Sequence, residues 1–410
     1  MTYRWIILGV ATFTQAASGF FVQGIGAMGV HLERDLDLST AQLGLLVSAS
    51  QLVPLVGLLV AGELLDRYDE RWVVGLGACV VAVSLGVGSM APGYLSLLVV
   101  LLMVGAGYST VQPGGSKSVA SWFDASQRGL AMGIRQAGVP LGGVFAAAAL
   151  PLVAAALGWR ATLVAGGLVA LVGAVAFMGV YRRPPVPAAP PGGEPRESAA
   201  ERPGTRLRML RDPRMTRILL SGTCLVSVHS GIGVLTVLYL HEVTSLGAGS
   251  AALVYVAVQG AGVAGRVCLA AWSDRLGAGR YASVMACMVA VIAAMVVLMT
   301  PLGRSPEVAC LTFAWLGFFG IGWYGPWVAY LAESAPSGKT GFALGLAMAV
   351  TQIAVIVAPP ALGFLKDVTH GFTAAWAVLC GMTAVVLAVT AREAQRPVLE
   401  KCWKSLAPDQ

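Results

Sequence analysis

Residues 62–71 read Gly62-Glu63-Leu64-Leu65-Asp66-Arg67-Tyr68-Asp69-Glu70-Arg71, and residues 265–280 read Gly265-Arg266-Val267-Cys268-Leu269-Ala270-Ala271-Trp272-Ser273-Asp274-Arg275-Leu276-Gly277-Ala278-Gly279-Arg280. In each, an apolar run ends in Asp-Arg, and another Arg follows four or five residues later, before the next apolar run. Asp66 and Asp274 lie 208 positions apart in a chain of 410. So much charge in so short a connection stands out in a sequence that is 57% hydrophobic and only 11% charged. Soluble domains carry roughly 25% charged residues. A charged phrase that returns half a chain later marks two halves built on one plan.

Outward from these phrases, apolar stretches of a length that crosses a ~30 Å hydrocarbon core recur along the whole chain. We read them as 5–30, 41–64, 72–90, 95–122, 129–153, 159–181, 215–241, 249–273, 281–300, 306–333, 340–366 and 372–391. The mean hydropathy is +0.76. The organisation expected is therefore a six-helix half over 1–181, a join over 182–214, a second six-helix half over 215–392 and a tail over 393–410. The first span opens with one cation, Arg4, and its apolar run outlasts the 7–15 residues of a signal-peptide core, so it is read as retained. The join carries Pro184, Pro185, Pro187, Pro190, Pro191, Pro195 and Pro203 among Gly and Glu, a composition that builds no core. Its end, Arg206-Leu207-Arg208-Met209-Leu210-Arg211, suits anionic headgroups.

Lysine and arginine sort to one side of this arrangement. With the amino terminus inside, the cytosolic segments hold 20 of them and the outer segments 4, namely Arg34, Arg160, Arg304 and Lys366. That bias satisfies the positive-inside rule and places both termini in the cytosol, with the spans in the inner (plasma) membrane. It also accounts for the formal net charge of +7 without nucleic acid, because the cations are dispersed and not gathered into a stripe with stacking aromatics.

Several other chemistries find no support. The 7 cysteines are scattered and mostly intramembrane, without C-x-x-C or a histidine partner, so they read as small apolar residues. Gly260-Ala261-Gly262-Val263-Ala264-Gly265 fits G-x-G-x-x-G, but no strand precedes it, and inside a membrane helix the glycines let helices approach. No phosphate loop, nucleophile elbow or acid cluster for a metal is present, so no cofactor, metal or enzymatic activity is expected.

What remains is the small polar content of the membrane. Three cations, Lys117, Arg135 and Arg266, fall inside spans, while no Asp or Glu occupies the middle third of any span. A charge at that depth costs at least a few kcal/mol, so it faces an aqueous cavity or finds a partner. The missing counter-charge points to an anionic substrate. At 1.5 Å per residue, Arg266 sits roughly 12 Å inside Asp274, Arg135 roughly 9 Å inside Gly129 and Lys117 roughly 8 Å inside Trp122. Snorkelling is open to Lys117, and a structural latch to Arg135. On helix 8, Tyr255, Gln259, Gly262 and Arg266 share one polar stripe at helical spacing. Its guanidinium can grip a carboxylate bidentately, as a lysine cannot. Further cavity candidates are Tyr108, Gln112, Gln352, Trp323, Tyr324 and Trp327, with His229 as the one histidine deep enough to carry a proton. His229 and the aromatics have packing roles open to them as well.

The repeated phrase resembles the loop between helices 2 and 3 of major facilitator superfamily transporters, and its echo between helices 8 and 9. The resemblance implies an all-α integral membrane protein, with twelve helices in two pseudo-symmetric six-helix bundles that rock about a central site. It also implies a gate latch: Asp66 holding a helix terminus or Arg of the other half, with Gly62, Arg67 and Arg71 completing it, and Asp274, Arg275 and Arg280 as a weaker mirror copy. The phrase from Gly265-Arg266 to Asp274-Arg275 resembles the oxalate–formate and monocarboxylate branches, in which a helix-8 Arg binds the carboxylate. Residues 122–133 resemble the anion–cation symporter branch. The oxalate–formate pattern also has a helix-11 cation, where this chain has Gln352, with Lys366 only at the far outer end. Monocarboxylates or aromatic acids are thus expected over dicarboxylates, unless Lys117 or Arg135 supplies the second charge. The expected protein is a monomer in the bilayer that carries a small organic anion, either with protons or in exchange for another anion. A multidrug or cation exporter of the same fold is the alternative. It would want an acid in the cavity, and its helix-5 Gly-Pro signature is interrupted here at Gly138-Val139-Pro140.

Overall fold

In the computed structural model, which describes residues 3–38, 40–184, 212–276, 279–336 and 338–406, twelve helices are long and apolar enough to cross a bilayer. They are α1 (Tyr3–Gly24), α2 (Gln42–Arg67), α3 (Glu70–Gly88), α4 (Tyr94–Trp122), α5 (Ala125–Leu157) and α6 (Trp159–Val180), then α7 (Pro213–Glu242), α8 (Ala248–Arg275), α9 (Arg280–Met299), α10 (Pro306–Ser334), α11 (Thr340–Thr369) and α12 (Thr373–Leu406). The short helix Gly29–Leu36 lies between α1 and α2. The basic join, from 185 to 211, lies outside the described residues.

Packing repeats between the halves. α1 lies on α5 as α7 lies on α11, and α3 touches α4 and α6 as α9 touches α10 and α12. The halves meet through two crossed pairs, α2 on α11 and α8 on α5, with α10 also against α5. The Asp-Arg ends of α2 and α8 and the starts of α5 and α11 all lie at one end of the bundle, called here the basic face.

Two helices are interrupted part-way along their length. Pro54 cannot donate to the ladder, so α2 turns at Val53 and restarts with Pro54 as its first helical residue. α10 loosens over Ile321–Trp323, between the glycine-containing end of Pro306–Gly320 and the restart at Tyr324. Irregular backbone at membrane depth needs other polar partners, and Arg266 supplies one by donating to Ile321 O at 3.4 Å.

Candidate functional site

Between the two halves lies a cavity of about 210 Å³. Its lower wall, towards the basic face, is formed by Arg266, Gln112, Gln136 and Tyr324, with Leu58 and Met348. Counting residues from the helix ends places these about 12–16 Å from the basic face. Tyr108, Ser109, Thr351 and Gln352 form a middle tier, and Gln51, Gln23 and His229 line the side towards the opposite face. Arg266 is the single Lys, Arg, Asp or Glu side chain among the described residues that lines it. The rest of its polarity is neutral: amides, two phenols, two hydroxyls and one imidazole.

Arg266 is 6% exposed, and its guanidinium is only partly used. Nη1 donates across the interface to Gln136 O at 2.7 Å, Nε reaches Ile321 O, and the group lies 5.7 Å from the Tyr324 ring centre. No carboxylate among the described residues meets it. Tyr324 is held from the other half by Gln112, whose Nε2 donates to its hydroxyl at 2.8 Å, and Gln352 donates to Gln51 Oε1 at 3.0 Å. Such polar pairs between halves are what a cavity that opens and closes would exchange for ligand contacts.

Not every expected residue is here. Lys117 is turned away from the cavity: its Nζ lies 3.0 Å from Glu70 Oε1 and 3.7 Å from Asp66 Oδ1 and also donates to Leu65 O. Acids at the ends of α2 and α3 lie within the reach of its long chain, and that pairing outcompetes a place at the cavity. Arg135 does not line the cavity either. Because α5 begins at Ala125, four residues before the expected start, Arg135 lies ten residues in, about 15 Å. There it is wholly buried among α1, α4 and α5. Tyr255 and Gln259 are also outside the lining, because the glycines turn that face of α8 onto its neighbours. A Cβ on Gly262 would come 2.7 Å from Ile321, and one on Gly265 2.0 Å from Phe318 O, so the expected polar stripe is largely a helix contact. Trp323 and Trp327 are buried 5.4 Å apart between ring centres, and Trp327 Nε1 donates to Ile218 O, so both pack the second half.

At the basic face the duplicated phrase forms two latches. Asp66 accepts hydrogen bonds from Gly341 N and Phe342 N at 2.8 Å each, at the start of α11. Asp274 accepts from Gly129 N and Leu130 N, also at 2.8 Å each, near the start of α5. The second latch, expected to be weaker, matches the first bond for bond. A carboxylate at helix-start N–H groups gains from both the bonds and the helix dipole. Each aspartate is flanked by a cation of its own half, Lys117 for Asp66 and Arg280 for Asp274, the latter at 2.5 Å. Arg280 also pairs with Glu333 at 2.7 Å and donates to Ala125 O, while Arg128 reaches Glu333 at 3.3 Å. Three expected members sit apart. Arg67 pairs with Glu63 at 2.9 Å on its own helix, Arg71 donates to Met178 O, and Arg275 is exposed.

Gly62 lets α2 approach α11, since a Cβ there would lie 2.7 Å from Gly341 O. The partners of the latches carry a second duplicated phrase: Gly129-Leu130-Ala131-Met132-Gly133 on α5 and Gly341-Phe342-Ala343-Leu344-Gly345 on α11, 212 positions apart. A Cβ on Gly133 would come 2.3 Å from Arg266 O, and one on Gly345 2.2 Å from Leu58 O. That repeat was legible and would have located the backbone N–H groups that donate to the two aspartates.

The model of the Major Facilitator Superfamily matches residues 11–359. The chain belongs to this superfamily. It is a multi-pass membrane transporter, not an enzyme. An uncharacterised MFS-type transporter of Mycobacterium tuberculosis is 26% identical over 379 residues, covering 92% of this chain and 82% of that protein. A hexuronate transporter of Escherichia coli is 26% identical over 184 residues, covering 44% of this chain and 42% of that protein. Among solved structures, the proton:xylose symporter XylE, bound to 6-bromo-6-deoxy-D-glucose, superposes with a TM-score of 0.75 at 15% identity, covering 95% of this chain and 96% of that chain. The twelve-helix fold expected from the sequence is thus shared with these transporters.

Proposed function

We propose that this transporter carries a small hydroxylated monocarboxylate, such as a sugar acid, by alternating access in the inner membrane. The observation that carries the reading is the lining of the cavity: one guanidinium with donor capacity to spare, no acid among the described residues, and neutral amides and phenols around it. The carboxylate would bind Arg266, and the hydroxyls would meet Gln112, Gln136, Gln51, Gln352 and Tyr108. Amides both donate and accept, as a polyol requires. A flat aromatic acid, within the expected range on sequence, would engage few of these donors and acceptors beyond Arg266. The naming of relatives as hexuronate transporters favours the same class.

With the basic face in the cytosol, by the positive-inside rule, both latches close the cytosolic side and the cavity lies beyond them. The basic join and the tail are then cytosolic, and the protein acts as a monomer. The test is uptake into proteoliposomes of labelled D-glucuronate, benzoate and tetraphenylphosphonium. Saturable uptake of glucuronate alone is expected, and saturable uptake of the cation alone would replace this reading with that of a cation or multidrug exporter.

His229 lines the cavity, and an imidazole is the side chain there whose ordinary titration range lies near neutral pH. We take it as the coupling group, with anion exchange as the competing route. His229→Gln is expected to cut proton-driven accumulation at least tenfold while sparing counterflow. Full accumulation in the variant would make His229 a packing residue.

A further inference from the structure

Arg135 is the buried cation that the cavity does not use. Its side chain is 0% exposed, and no acid among the described residues pairs with it. Nε and Nη1 have no partner. Everything it offers goes through Nη2, to Gln15 Oε1 at 2.8 Å, Val111 O at 2.9 Å and Gln112 O at 2.6 Å. The pocket is shaped for it, since a Cβ on Gly115 would lie 2.6 Å from Nη2 and 2.7 Å from Nε. A charge kept at this cost should act on something.

The hydrogen-bond chemistry says on what. A guanidinium has donors only, so Gln15 must turn its oxygen towards Arg135. An amide flip, normally an open choice at such a site, is thereby closed. The amide nitrogen of Gln15 then faces Tyr108, and Nε2 donates to the Tyr108 hydroxyl at 2.8 Å. The phenol oxygen must accept, which leaves its own hydrogen free. Tyr108 lines the cavity, and its ring rests on α1, where a Cβ on Gly19 would come 3.3 Å from the hydroxyl, so the ring has little room to shift.

We infer that Arg135 is a positioning residue: through Gln15 it fixes the Tyr108 hydroxyl as a hydrogen-bond donor into the cavity, aimed at an acceptor oxygen of the bound sugar acid. The inference rests on the transport reading above for its ligand, but the direction of the relay does not depend on that reading. Arg135 itself never touches the ligand.

Gln15→Glu tests it, because a carboxylate still accepts from Arg135 but has no N–H for the phenol. The Tyr108 hydrogen must then turn to the new carboxylate, and the cavity loses a donor without losing volume. Two measurements on the full-length protein are needed. The first is infrared spectroscopy of the ligand-free protein with an isotope-labelled tyrosine at position 108. The C–O stretch shifts oppositely for a phenol that accepts and one that donates. The wild type should give the accepting signature and Gln15→Glu the donating one. Identical spectra would overturn the relay, whatever the protein transports.

The second is binding of D-glucuronate. Tyr108→Phe and Gln15→Glu should each weaken it about tenfold, the worth of one hydrogen bond to an anionic or polar ligand. The double variant should be no weaker than either single one. Additive losses near a hundredfold would overturn the claim that both act through one hydrogen bond. Wild-type protein that binds no glucuronate would refute the substrate class proposed above, and the spectra would still decide the relay.

Discussion

Arg266→Ala should abolish saturable glucuronate binding, with a loss of a hundredfold or more. Removing the partner of a buried carboxylate costs about 2–5 kcal/mol, and no other cation among the described residues lines the cavity to take its place. Arg266→Lys should recover little. The guanidinium spends Nη1 on Gln136 O and Nε on Ile321 O while lying over the Tyr324 ring, a planar arrangement that still leaves Nη2 for the ligand. A lysine ammonium is one point charge and cannot hold both carbonyls and a carboxylate in that plane. Folding should survive with a lowered thermal midpoint: the variant leaves Gln136 O and Ile321 O without that donor, while removing the cost of a buried charge. Equilibrium binding, together with gel-filtration profile and thermal midpoint, measures both statements. Wild-type affinity in either variant would refute the assignment.

The residues behind this prediction were legible to different degrees. Arg266 stood out in the sequence because a charge census of apolar spans is sharp: few charges occur there, and each is expensive. The same census misplaced Lys117, since depth along a helix does not reveal that Glu70 lies within reach of a flexible side chain. It also passed over Gln15, Gln23, Gln51 and Gln136. Glutamine carries no charge, and the lipid-facing and cavity-facing sides of a span differ by a rotation that the spacing alone left undefined. On α8 that rotation was misjudged: Gly262 and Gly265 were read as permitting a close approach, which they do, but the approach itself carries Tyr255 and Gln259 off the cavity wall. The fold was far more legible than the site. Twelve apolar stretches and one duplicated phrase are long-range regularities, whereas a cavity is set by which few side chains end up within ångströms of each other.

The latches carry the second large effect, and it should fall on rate and not on affinity. Asp66 and Asp274 each accept two backbone N–H groups of the opposite half at 2.8 Å. Asparagine keeps the shape but loses the charge, and its NH2 would face one of those N–H donors. With charge-assisted bonds worth roughly 1.5–3 kcal/mol, each substitution should shift the balance between closed and open basic faces by about tenfold or more. Both sets of bonds join the halves at the same face, so Asp66→Asn with Asp274→Asn should shift the balance further than either alone, and slow transport about a hundredfold. Affinity for glucuronate should stay within about threefold per variant, because neither carboxylate lines the cavity and the charge acts on populations. Lys117→Ala should resemble a mild form of Asp66→Asn, a separate check that its charge serves the latch. The reporter is Ala270→Cys in a background with the 7 native cysteines replaced. Ala270 is 0% exposed on α8, where the Cβ of a residue at Gly133 would come 2.8 Å from its own Cβ, so a thiol there is reached only when α5 and α8 part. Labelling by a water-soluble maleimide should rise through the series from wild type to single to double variant. Equal labelling across the series would show that the aspartates do not hold this face shut.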